Sequence, residues 1–121
     1  MKDVAHTGST DLRSWASNIT SSHGEDGIIA RIFDVIGEQT KWCVELGALN
    51  GKHDSNVWSL LKQKGWSGVL IEADQTYFAK LVSEYSDVPA AVCVNEFVSF
   101  EGENRLDAIF ARTPIPNQFD L

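Results

Sequence analysis

The segment Trp42-Cys43-Val44-Glu45-Leu46-Gly47-Ala48-Leu49-Asn50-Gly51 constrains the fold of this chain more than any other. Trp42, Val44 and Leu46 are bulky or β-branched, as a strand interior favours. The run closes on an acid, and a turn with two glycines follows at once. Gly47 and Gly51 admit backbone conformations and close approaches that a Cβ would block. In open α/β sheets ligands sit outside the carboxyl ends of the strands, so an acid and glycines there suit a small nucleoside-like ligand.

The spacing narrows the choice. The dinucleotide fingerprint needs glycines at the first, third and sixth places, and from Gly47 the third and sixth are Leu49 and Lys52. A phosphate-cradling loop needs four residues between its glycines and then Lys-Ser/Thr. Here three intervene, and His53 follows Gly51-Lys52. What remains, Glu45-x-Gly47-x-x-x-Gly51, resembles the first motif of class I S-adenosylmethionine (SAM)-dependent methyltransferases. Any buried strand before a glycine turn can take the same form.

The 121 residues suffice for one compact domain with a modest core. A net charge of −7 argues against nucleic acid or an anionic membrane held by a basic surface. No apolar run nears the roughly 18 residues of a membrane-spanning helix. The N-terminus lacks the apolar centre of a secretory signal, so a cytoplasmic location is expected and the sequon Asn18-Ile19-Thr20 carries little weight. Cys43 and Cys93 fall in different predicted strands. With another strand between them they stand about 9–10 Å apart, beyond disulfide reach, so two free thiols and no metal site are expected.

Residues 1–21 are polar, yet Leu12, Trp15, Ala16 and Ile19 have helical spacing, so either a short helix or a frayed terminus is expected. Ser22 and Glu25 have the spacing of a capping box ahead of a helix over 26–36. Strands are expected at 41–46, 68–72 and 90–94. Between them come a helix capped by Asp54 or Ser55 and ending at Lys64, and another capped by Asp74. The second has Tyr77, Phe78, Leu81, Val82 and Tyr85 on one face. This alternation predicts right-handed crossovers and a parallel sheet in the order 3-2-1 within one unit, residues 22–121. A last helix is expected over 104–112, with Leu106, Ile109 and Phe110 inward. Residues 119–121 look like the opening of a fourth strand.

Glu72 closes the second strand 72 − 45 = 27 residues after Glu45. An acid there either accepts hydrogen bonds from ribose hydroxyls or is a solvated strand terminus. Asn95, at the end of the third strand, suits an adenine edge or a turn equally well. The runs Ser22-His23-Gly24-Glu25-Asp26-Gly27, Cys43 to Ala48, Gly51-Lys52, Ser55-Asn56 and, most distinctive, Gly65-Trp66-Ser67-Gly68-Val69-Leu70-Ile71-Glu72 resemble the FkbM-type branch of SAM-dependent methyltransferases. The resemblance covers about residue 21 to the end.

The resemblance implies a Rossmann-like three-layer sandwich and SAM as cofactor. It also implies methyl transfer, to an oxygen of an acceptor that is a small molecule or glycan-like. Glu45, Gly47, Ala48, Asn50 and Gly51 would then border the SAM pocket, with Glu72 on the ribose and Asn95 and Glu96 on the adenine side. Such enzymes carry an acidic motif on a fourth strand, and this sequence stops at Asp120-Leu121, so activity of this chain alone is not expected. No catalytic base is assignable; His23 and His53 are the nearest candidates, and His53 reads better as a loop residue. A first strand lacking its outer neighbour invites pairing with a second copy, unless the final residues cover it. A non-catalytic domain serving assembly or ligand sensing is the competing expectation.

Overall fold

Side chains alternate across a strand, so each strand of this chain feeds two cores at once. The computed structural model describes residues 10–121, and expectations for the residues before Thr10 lie outside it. Strands β1 (Trp42–Leu46), β2 (Ser67–Ile71) and β3 (Ala91–Val94) form one sheet with β2 in the middle. Both pairings are parallel, and Val44, Val69 and Val92 stand in register across the sheet. Four helices cover it: α1 (Glu25–Ile36), α2 (Trp58–Gln63), α3 (Gln75–Glu84) and α4 (Leu106–Ala111). On one face Cys43, Leu70 and Cys93 meet Ile29 and Phe33 of α1, Leu60 and Leu61 of α2 and Leu81 of α3. On the other, Val44, Val69, Ile71 and Val92 meet Leu106, Ile109 and Phe110 around α4. Leu70, Leu81 and Ile109 are fully buried, and each such burial contributes roughly 1.5–3 kcal/mol.

Several local expectations change in three dimensions. Ser22 does not cap α1. Gly24 holds the N-cap position with a left-handed φ of 86° and no side-chain cap bond. Ser22 Oγ donates instead to Asp54, and Glu25 Oε1 accepts the His23 N–H at 2.7 Å. Where either a short helix or a frayed terminus was expected, the described residues form a single 3-10 turn, Leu12–Trp15, after which the chain leaves helical geometry with Leu12 and Ile19 exposed. Helix α2 starts later than expected, because positive φ at Gly51 and Asp54 keeps the preceding residues in turns. Ser55 rather than Asp54 serves its start, with Oγ accepting from Val57 and Trp58 N–H at 3.2 and 3.1 Å. Asp74 caps α3 through Tyr77 N–H as expected (2.9 Å). Tyr77 and Val82, however, are exposed on either side of a buried stripe formed by Leu81 and Tyr85. At 100° per residue, five such positions span more than one narrow sheet can cover.

The outer edge of β1 carries the chain's own tail. Asp120 and Leu121 N–H donate to Trp42 O (3.0 and 3.3 Å), and Val44 N–H donates to Leu121 O (2.9 Å). This is the alternation of a parallel ladder. Asp120 Oδ2 also accepts the N–H groups of Gln39, Thr40 and Lys41 at 2.9, 3.0 and 2.9 Å. Phe119 packs edge-on against Phe110 of α4, centroids 5.7 Å apart. Cys43 and Cys93 are free, with β2 between their strands. Among the described residues, no helix is long and apolar enough to cross a membrane.

Candidate functional site

All three strands are parallel, so their carboxyl ends share one rim of the sheet. Glu45, Glu72 and Asn95 all stand on that rim. Beyond β1 the chain turns at Gly47 (φ 67°) and reaches across to β2, where Ala48 N–H donates to Ile71 O at 3.0 Å. Leu49 follows in a left-handed conformation, φ 51°, which costs an ordinary side chain about 1–2 kcal/mol. Its N–H donates to Glu72 Oε1 at 2.7 Å, a charge-assisted bond that holds the turn in place. Glu72 Oε2 accepts from Asp74 N–H at 2.8 Å. One carboxylate, only 6% exposed, therefore ties the glycine loop to the start of α3.

Glu45 fastens the far end of the same loop. Its Oε2 accepts from Ser55 Oγ at 2.7 Å and its Oε1 from Asn56 N–H at 2.8 Å. Burial pushes the Glu45 carboxyl above its ordinary pKa against the pull of those two donors, and the Asp26 charge adds to the rise. Burial, with the Glu45 charge behind it, pushes the Cys43 thiol up to about 12, so Cys43 is no thiolate nucleophile at neutral pH. Tyr85 is raised by burial too and stays a neutral donor; its hydroxyl donates to Gly51 O at 2.9 Å.

The remaining candidates divide by surroundings. Nothing stands within 4 Å of a Cβ built on Gly47, whereas one on Gly51 would lie 2.8 Å from Tyr85 Cε2 and 2.9 Å from Leu81 Cδ1. Gly47 thus offers open backbone at the rim, and Gly51 is a packing glycine. Ala48 is buried in the core. Asn50 Oδ1 accepts from Lys52 and His53 N–H (3.0 and 2.9 Å), closing a local turn. Asn95 Nδ2 donates to Glu72 O and Ala73 O (2.8 and 3.2 Å), so its amide N–H groups clasp β2. Glu96 lies 3.5 Å from Arg112 after α4. His53 is exposed beside Asp54, and His23 is exposed with its N–H on Glu25. Among the described residues, no group of three or more His, Cys, Asp or Glu could hold a metal ion.

Sequence reasoning missed Leu49, Asp26 and the hydroxyl of Ser55 as parts of this assembly. A left-handed leucine has no sequence signature, and the other two act through partners distant along the chain. The rim can present carboxylate oxygens and open glycine backbone to a ligand carrying hydroxyl or amine donors. Compared with protein-family models, curated proteins and solved structures, the chain matches none.

Proposed function

We propose that this chain carries the cofactor-binding side of an FkbM-type SAM-dependent methyltransferase, on a Rossmann-like sheet in the order 3-2-1. The reaction is methyl transfer to an oxygen of a small-molecule or glycan-like acceptor. One observation carries the reading: the glycine loop after β1 folds back across the rim and is held there by the acid that closes β2. The residues fit a ribose-bearing ligand. Each Glu72 oxygen takes one N–H and keeps a second lone pair, and open space above Gly47 lets a ligand approach the backbone. SAM, when bound, supplies a methyl group on a positively charged sulfur. In this reading Glu45 and Glu72 give a negative rim toward that charge, while the loop orients the cofactor by position rather than by covalent chemistry.

The test is an amide NMR titration with S-adenosylhomocysteine. We expect Gly47, Ala48, Leu49 and Ala73 resonances to shift with weak affinity, about millimolar. No shift at saturating ligand would reject the cofactor reading. A second reading, a non-catalytic α/β domain serving assembly or ligand sensing, is favoured by the engagement of every carboxylate oxygen of Glu45 and Glu72 with the chain's own donors. Glu72→Gln separates the two. Loss of the shifts in a variant that keeps a folded spectrum supports the cofactor site.

A further inference from the structure

The segment ahead of α1 reaches the candidate site through a continuous set of hydrogen bonds. Asp26 is 7% exposed, and its Oδ2 alone accepts the N–H groups of Ile19, Thr20 and Ser21 at 2.8, 2.9 and 2.9 Å. Ser21 Oγ in turn accepts from Asp26 N–H at 3.1 Å. Burial opposes the charge on Asp26, yet these donors outweigh it and hold the carboxyl below the usual range. The segment lies against α1 where side chains are missing: a Cβ on Gly27 would stand 2.1 Å from Trp15 O and 2.4 Å from Ser17 Oγ. The Arg31 guanidinium lies 4.3 Å over the Trp15 ring. From this fixed base Thr20 Oγ1 donates to Ser55 O at 2.7 Å. Ser55 is 2% exposed, and its own hydroxyl donates to Glu45.

We propose that residues 19–21, held by Asp26, position Glu45: Thr20 fixes the Ser55 backbone, and Ser55 with Asn56 fixes the Glu45 carboxylate at the end of β1. The Ser-His-Gly-Glu-Asp-Gly motif at 22–27 thereby acquires a role. Its two glycines let the segment lie close, and its aspartate binds that segment. Thr20 and Asp26 are positioning residues: their hydrogen bonds reach the rim only through Ser55, while the Asp26 charge also acts on Glu45 through space. A merely structural tie between the segment and the loop would hold Ser55 equally well, but it would leave the electrostatics of Glu45 untouched. The effect on ligand affinity rests on the cofactor reading; the positioning of Glu45 does not.

Thr20→Val, which removes one hydroxyl and keeps the shape, is the direct test, with Thr20→Ser as the conservative control. The readout is the carboxyl carbon of Glu45, followed by NMR titration in the full chain beside its charged and titratable neighbours Asp26, Cys43 and Tyr85. In Thr20→Val the Ser55 and Asn56 amides should shift, and Glu45 should titrate higher, because the donors that favour its charge are loosened. Thr20→Ser should restore the parent curve. S-adenosylhomocysteine should bind about three- to tenfold more weakly to Thr20→Val, the loss expected for one hydrogen bond. A lower melting temperature with the Glu45 titration and the Asn56 amide unchanged would overturn the proposal. If the parent chain gives no ligand shifts, the cofactor reading falls and the titration alone decides the positioning.

Discussion

At Gly51, conformation and packing act together. Its φ is 88°, and the two atoms a Cβ would strike belong to Leu81 and Tyr85, both buried and unable to swing aside. Left-handed strain of about 1–2 kcal/mol adds to overpacking of about 1–3 kcal/mol, so Gly51→Ala should destabilise by roughly 2–5 kcal/mol. Gly47→Ala meets open space and should lose only the strain, about 1–2 kcal/mol. Denaturant unfolding of the two variants checks this, and equal losses would contradict it. Nothing in the order of residues distinguished these glycines; the wall facing Gly51 comes from α3. The acids also differ in sign. Burial raises Glu45, so the folded chain binds its proton more tightly than the unfolded chain does. The stability this contributes is present below the unfolded pKa, about 4.3, and is lost as pH rises through the folded value. Asp26 is lowered, so its contribution is present above its unfolded pKa and lost as pH falls through the folded one. In unfolding midpoints measured against pH, Glu45→Gln should remove the decline above about pH 4.3 and Asp26→Asn should flatten the acid limb.

Among the elements, β1 to β3 were readable as short apolar or β-branched runs and the helices from the 3.6 period, because both are local properties of the chain. Their boundaries were less so. The Ser22–Glu25 spacing matched a capping box, but the cap position has a left-handed φ and Ala16 leaves no room there for a Cβ, so Gly24 takes that place. Asp54 at φ 58° delays α2 with no signature beyond being an aspartate. The tail residues 119–121 are tied to the β1 edge by Asp120, whose carboxyl is lowered by the N–H groups of Lys41, Gln39 and Thr40, and by Phe119 against Phe110. Asp120→Ala should speed amide exchange at Gln39, Thr40, Lys41 and Val44 while leaving β2 amides protected. Unchanged exchange at Val44 would mean that the tail is anchored by Phe119 on Phe110 alone.

For the whole molecule, the consequential feature is a three-stranded sheet that buries both faces and leaves two edges. The edge at β1 was where a second copy was expected to pair, and there the chain's own residues occupy Trp42 O and Val44 N–H. Removing residues 119–121 frees that pair of groups beside apolar side chains, a combination that recruits other strands. Sedimentation at matched concentration should then show the shortened chain shifted toward larger species relative to the parent. An unchanged distribution would show that copies do not meet at this edge.

Sequence alone determined the alternation of strands and helices, the parallel sheet with β2 central, and the presence of acids beside a glycine turn at the strand ends. The elements follow from local residue patterns, and the sheet order from their alternation along the chain with the handedness of the crossovers. Tertiary structure decided how those acids are used. Glu72 meets Leu49 across 23 residues, Thr20 meets Ser55 across 35, and Asp120 meets Lys41 across 79. A hydrogen bond between residues so far apart depends on the packed positions of whole elements. Local preference therefore identified the groups at the rim, and only the fold assigned their partners.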